Sequence, residues 1–386
     1  MRAWILLFCF LLAACATPPA PVARPDSLLH DELFARSTAR VSADDVFALS
    51  EPMKRYLKTE IAAEIRNKGP QAGLAEALHR KGKLRIEYDA AMTRNAAETF
   101  AAGAGNCLSL VVMTAAFAKE LGLPVRYQSA YQEETWSRSG DLLVRSGHIN
   151  ITLGPRLFDV GTERWLHPLT IDFLPVQEIR GMRTREIDES TVVAMYMNNR
   201  AVEVLAQGQM DDAYAWARGA IRQDPRFLSA YNTLGVIYLR HGNLAPAAQA
   251  FNEVLAREPN NTQAIANLAE VLSRQGRVAE SQALYRRLAQ LEPNPPFHYF
   301  SLGQAAMKRG DYRAARDLFA KEVARADYYH EFHFWLALAN FKLGNFEEAR
   351  TQLARAMEES TTRNDRDLYA AKLAWLRTYT KQVRVQ

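Results

Sequence analysis

The chain has 386 residues, 48% hydrophobic, 24% charged and 10% aromatic, which fits two or three globular domains and excludes a disordered or collagen-like polypeptide. Its 48 basic residues against 43 acidic ones leave a net charge of +5. Spread over this length, and without a dense Lys/Arg run, that bias does not point to nucleic acid.

In chain order, Arg2 supplies a short positive region, Trp4 to Leu12 is apolar but too short to span a bilayer, and Leu12-Ala13-Ala14 places small residues before Cys15. This pattern resembles the lipobox of bacterial lipoproteins. The resemblance implies a signal peptide over residues 1–14, cleavage before Cys15 and acylation of that residue. Ala16, in place of the aspartate that favours inner-membrane retention, leans toward the periplasmic face of the outer membrane of a Gram-negative cell. More than one acyl chain gives stable anchoring where a single chain does not. Residues 15–26 contain TPPAPVARP, a proline-rich tether. Of the three cysteines, Cys9 leaves with the signal peptide and Cys15 carries lipid, so Cys107 remains as a free thiol in an oxidising compartment.

Residues 27–80 read as helical. Ser42 before Asp44-Asp45 resembles an N-cap, Gly69-Pro70 ends one helix near Lys68, and a short helix continues to about Lys81. A further helix is expected over Asn95–Phe100, followed by the glycine turn of AAGAGN. Cys107–Leu121 is apolar on nearly all faces and predicts a buried helix, stopped by Gly122 and Pro124. Val125–Tyr131, Leu142–Leu153 and Arg156–Val160 read as strands, with a turn at 153–156. One buried helix against an antiparallel sheet is an α+β domain. Glu133, Glu134 and Asp141 are expected in a polar loop between strands.

Cys107 opens its helix, where the positive end of the helix dipole favours a thiolate. A thiolate nucleophile needs an imidazole, and the imidazole needs an orienting carboxylate. His148 follows in RSGHINITL, where alternation puts it on one strand face with Asn150. Asp159 follows in LFDVG, where a hairpin would set it beside His148; Asp172, in PLTIDFLP, competes for the same role.

The stretch from about Leu84 to Asp172, with TRNAAETFAAGAGNCLSLVVMTAAFAKELGLPVRY, then GHINITL, then LFDVG, resembles the transglutaminase-like fold, a papain-related superfamily. That resemblance implies a domain over residues 27–185 with Cys107 as nucleophile, His148 as base and Asp159 as orienting acid. Asp159 departs from the family pattern, with Phe158 before it and Val160 after it, which keeps Asp172 in contention. The implied activity is cysteine protease or amidase chemistry.

From about residue 194 the sequence repeats. Gly208, Gly242, Gly276, Gly310 and Gly344 stand 34 residues apart, and Ala213, Ala247, Ser281, Ala315 and Ala349 follow each by five. Pro225, Pro259 and Pro293 share the period. The pattern resembles the tetratricopeptide repeat, five units over 194–363, with a capping helix over 364–386. Tyr238, Phe251, Tyr285 and Phe319 are expected to fill the spaces between hairpins. In the first unit Met197, Arg200 and Ala201 replace the usual Trp, Leu and Gly. Stacked hairpins imply a concave face for a protein or peptide partner.

His330 and His333 are read as repeat core rather than as a metal site, and no CxxC, HExxH, P-loop or dinucleotide turn occurs, so no cofactor or metal is expected. Two functional classes follow. One is an envelope lipoprotein whose thiol cleaves or transfers peptide or protein amides while the repeats recruit substrate. The other is an inactive scaffold whose repeats organise an envelope or secretion complex.

Overall fold

The computed structural model describes residues 25–79, 86–90, 92–139, 142–154, 168–173 and 183–383. They divide into two compact units, one running to Phe34 and resuming over Tyr231–Leu291, the other comprising Ala35–Ala230 and Glu292–Gln386. Residues 1–24, with Cys15, and the segments holding Asp141 and Asp159, lie outside the described residues.

The second unit contains the α+β domain. Helix α1 (Glu51–Arg55) passes through a π turn (Tyr56–Glu60) into α2 (Ala62–Lys68) and then α3 (Pro70–His79). Gly69 turns the chain at φ +82° and Pro70 opens the next helix, as the sequence leads one to expect. Strand β1 (Glu87–Tyr88) pairs in parallel with β2 (Ala104–Gly105), and α4 (Ala96–Ala102) lies between them in sequence. Helix α5 (Cys107–Glu120) follows at once.

The sheet has the order β5-β4-β3-β6 and is antiparallel throughout, with β3 Val125–Ser139, β4 Leu142–Leu153, β5 Leu169–Ile171 and β6 Arg183–Ile187. Strand β3 therefore continues eight residues beyond the expected end at Tyr131. Glu133 and Glu134 belong to that strand, not to a loop; a register shift between Ala130 and Thr135 marks their place in it.

Helix α5 is buried from Leu108 to Ala118 and packs on β4, where Ile149, Ile151 and Leu153 are fully buried. Burial of that kind contributes about 1.5–3 kcal/mol for each large aliphatic side chain. Its C-terminus closes as a Schellman motif: Gly122 N–H donates to Lys119 C=O, Leu123 N–H donates to Ala118 C=O, and Gly122 takes φ +70°.

The expected helix around Ser42 does not form. Residues 43–47 form only a turn and bends, and residues 35–41 before them are irregular, held by the carboxylate of Asp212. That group accepts from the Ser37 hydroxyl (2.7 Å), Thr38 N–H (2.8 Å), the Thr38 hydroxyl (2.9 Å) and Ala39 N–H (3.1 Å), which fixes the irregular segment ahead of Ser42.

The same unit holds α6 (Glu189–Ala206) packed on α7 (Met210–Gln223), and the helices α12 (His298–Lys308), α13 (Tyr312–Arg325), α14 (His330–Lys342), α15 (Phe346–Glu358) and α16 (Arg363–Val383). Phe297, Phe300, Phe319 and Phe332 form one core between them. His333 spends both ring nitrogens on hydrogen bonds, Nδ1 with Gln352 and Nε2 with Asp327 C=O, while His330 Nδ1 meets Tyr369. The α16 end touches the α+β domain: Ala90 N–H donates to Thr361 C=O, and Arg363 pairs with Glu87 at 2.7 Å.

The first unit comprises most of α8 (Leu228–His241) with α9 (Leu244–Arg257), α10 (Thr262–Arg274) and α11 (Val278–Leu291). Gly235 exists to admit Phe251: a Cβ there would stand 2.5 Å from the ring. Tyr238 and Phe251 are fully buried, as is Phe319 in the other unit; Tyr285 is 44% exposed and does not fill an inter-hairpin space as expected. Residues 25–34 lie against Tyr238, whose hydroxyl accepts from His30 N–H (3.0 Å) and donates to Leu28 C=O (2.8 Å). Among the described residues, no helix is long and apolar enough to cross a membrane.

Candidate active site

The thiol is placed by what precedes it. Gly105 is buried where a Cβ would come within 2.7 Å of Ser109 Cβ and 3.2 Å of Thr99, so the chain can reach the start of α5 only through glycine. Asn106 then caps the helix, its Oδ1 accepting from Ser109 N–H at 2.9 Å. Cys107 is the first helical residue, partly exposed and free of any disulfide. A backbone N–H at that position has no partner within its helix, so it stands beside the sulfur as a donor for an incoming oxygen.

His148 lies on β4, opposite Ala130 of β3, and is 7% exposed. Its Nε2 contacts both carboxylate oxygens of Asp172, at 2.8 and 2.9 Å. Asp172 takes Nε2 and not Nδ1, and Cys107 stands near enough to the ring to favour its protonated form. Burial pushes the imidazole down, but the interactions with Asp172 and Cys107 outweigh it and hold His148 up at about 9. At neutral pH this ring carries its proton.

Asp172 directly follows β5, whose Ile171 pairs with Ile151 of β4. That register brings a carboxylate 24 residues away in sequence onto His148. Asn150, two residues along β4 on the same face, donates Nδ2 to Asp172 Oδ2 at 3.2 Å and is 3% exposed. Of the candidate residues, the structure thus brings together Cys107, His148 and Asp172. Asp159, the acid favoured by the sequence reading, lies outside the described residues, and the carboxylate on His148 is that of its competitor. The sequence places Asn150 on the correct strand face, but its bond to Asp172 depends on the β4–β5 register, which alternation does not reveal.

Comparison with known proteins agrees with the two architectures. The family model described as the transglutaminase-like superfamily matches residues 59–166, and two models of the tetratricopeptide repeat match residues 238–302 and 300–365. The first covers Cys107 and His148 and ends before Asp172. No curated protein matches the chain. Similar solved structures include a thermophilic TPR protein of Thermus thermophilus (22% identity, 47% of this chain and 99% of that one, TM-score 0.30). Others are PilF of Pseudomonas aeruginosa (18% identity, 47% and 83%, TM-score 0.29) and YrrB, a TPR protein with an unusual peptide-binding site (20% identity, 46% and 92%, TM-score 0.25). The chain therefore carries a transglutaminase-like domain of mixed α/β structure followed by all-helical tetratricopeptide repeats, modules of protein–protein interaction.

Proposed function

We propose that this chain is an envelope lipoprotein whose transglutaminase-like domain performs thiol acyl chemistry on peptide or protein amides, with its repeats recruiting the substrate or a partner. The single observation that carries the reading is the grouping of a partly exposed Cys107 with a buried His148 whose Nε2 is held by Asp172.

In this reading Cys107 Sγ attacks the amide carbonyl carbon. A carbon–sulfur bond forms, the carbonyl oxygen is received by the Cys107 backbone N–H, and the carbon–nitrogen bond breaks as His148 hands its proton to the departing amine. Water, giving its proton to His148, then attacks the thioester and releases the acid. An amine at that step gives a new amide. Asp172 acts as the orienting acid, and Asn150 steadies Asp172. The partner is a protein or an extended peptide on the concave face of the repeats, and the anchor is lipid on Cys15. The anchor rests on the sequence pattern of residues 1–15.

The test is incubation of the chain with an unfolded protein substrate and a fluorescent primary amine, following released amines, incorporated amine and the mass of the Cys107 peptide. Acylation of Cys107 with either product, lost in Cys107→Ser, is the expected result. A folded protein that never acylates overturns the enzyme reading and leaves the inactive scaffold.

A further inference from the structure

The site does not end at the sheet. Asn106, which caps the helix carrying Cys107, uses both ends of its amide. Oδ1 accepts from the N–H and the hydroxyl of Ser109, each at 2.9 Å, and Nδ2 donates to Thr93 Oγ1 at 2.9 Å. Because an amide is planar, fixing both ends fixes the orientation of the cap and of the first turn that begins at Cys107.

Thr93 is 1% exposed, and its remaining bonds reach a different element. Its Oγ1 accepts a second donor, Asn199 Nδ2, at 3.3 Å. Its N–H donates to Glu203 Oε1 at 2.7 Å. Arg200 Nη1 donates to Glu203 Oε2 at 2.8 Å. Asn199, Arg200 and Glu203 lie three and four residues apart, on one face of α6. Burial pushes the Glu203 carboxyl up, against the pull of Thr93 and Arg200. A buried carboxylate is tolerated only when it is bonded in this way.

The 34-residue register gives an independent observation. The positions equivalent to Arg200 are Leu234, Leu268, Leu302 and Leu336, and those equivalent to Glu203 are Ile237, Val271, Ala305 and Ala339. The first hairpin alone replaces these apolar residues with a charged pair, and that pair faces Thr93. A repeat helix has no need of such a pair for its own packing.

We propose that α6, although it opens the repeat region, is a positioning element of the thiol site: Asn199, Arg200 and Glu203 hold Thr93, and Thr93 holds the Asn106 cap that aims Cys107. This rests on the reading of Cys107 as a nucleophile. The repeat region is then more than a recruiting module, because its first helix supplies part of the frame on which the chemistry depends.

The experiment follows the rate of iodoacetamide alkylation of Cys107 in the full chain, read on the Cys107 peptide by mass spectrometry from pH 5 to 10. Thr93→Val and Glu203→Gln are expected to slow alkylation at pH 7 about ten-fold or more and to move the acid side of the profile to higher pH. Thr93→Ser, which keeps the hydroxyl, is expected to stay within about two-fold of the parent. Asn199→Ala, which removes one bond from a partly exposed side chain, is expected to slow alkylation about three-fold and serves if the buried variants do not fold. Folded variants with parental rates and profiles overturn the positioning role. His148→Ala distinguishes the two levels: if it too leaves the rate unchanged, the nucleophile reading itself has failed.

Discussion

The repeat hairpins and the thiol site solve opposite problems. In α8 and α9, one small residue and one large one decide the packing, Gly235 admitting Phe251, and the choice recurs with the register in Gly303 and Phe319. In the α+β domain the decisive contacts bring together Cys107 at the start of a helix, His148 on a strand and Asp172 just past another. The first kind of order is apolar and redundant, so losing one contact costs stability. The second is polar and singular, so losing one contact costs reactivity while the fold can persist.

That contrast is broken most severely at His148. His148→Ala is expected to slow acylation of Cys107 by about 10²–10⁴-fold, the range of a positioned acid–base group, with the circular dichroism spectrum unchanged. Phe251→Ala is the mirror experiment. It is expected to cost about 3–5 kcal/mol in chemical denaturation, as for a large aromatic removed from a packed core, while Cys107 keeps its reactivity under native conditions.

Asp172→Asn sharpens the site further. With the carboxylate charge gone, the protonated imidazole loses a stabilising partner, and the midpoint of His148 falls from about 9 toward or below its ordinary 6.5. Proton NMR of the imidazole across pH 5–10 reads this shift, and Asp159→Asn is expected to leave the midpoint in place.

The same group makes stability depend on pH. Folding raises the affinity of His148 for its proton, so its contribution is complete below about pH 6.5 and disappears as pH rises through about 9. The difference in thermal midpoint between the parent and His148→Ala should therefore narrow from pH 6 to pH 10. The smallest effect is expected at Tyr285, 44% exposed, where substitution by alanine should change stability by no more than about 0.5 kcal/mol.

What could be read in the sequence follows the same division. Glycines at a fixed spacing announce the hairpins, because each turn needs positive φ and local spacing carries that signal. The buried helix behind Cys107 and its stop at Gly122 are equally legible. The partner of His148 is not, since Asp159 and Asp172 differ only through strand pairing, and pairing is set by which apolar residues of β4 and β5 meet. The region before α1 misleads for a related reason. Ser42 and its acidic neighbours have the local form of a helix cap, yet only a turn and bends follow, and the segment just before it is tied by its backbone to Asp212, far away in sequence. The odd Arg200 of the first repeat is visible as a departure from the pattern, and its reason emerges only with Glu203 and Thr93 in place.

The most direct test of the account compares alkylation of Cys107 at pH 6 in the native chain and in the same chain unfolded in denaturant. A thiol paired with a protonated His148 is predicted to react faster when native, by about ten-fold or more, since a free cysteine with a pKa near 8.5 is almost wholly protonated there. A native rate below the unfolded rate would contradict the account and make Cys107 a packed residue with no chemistry of its own.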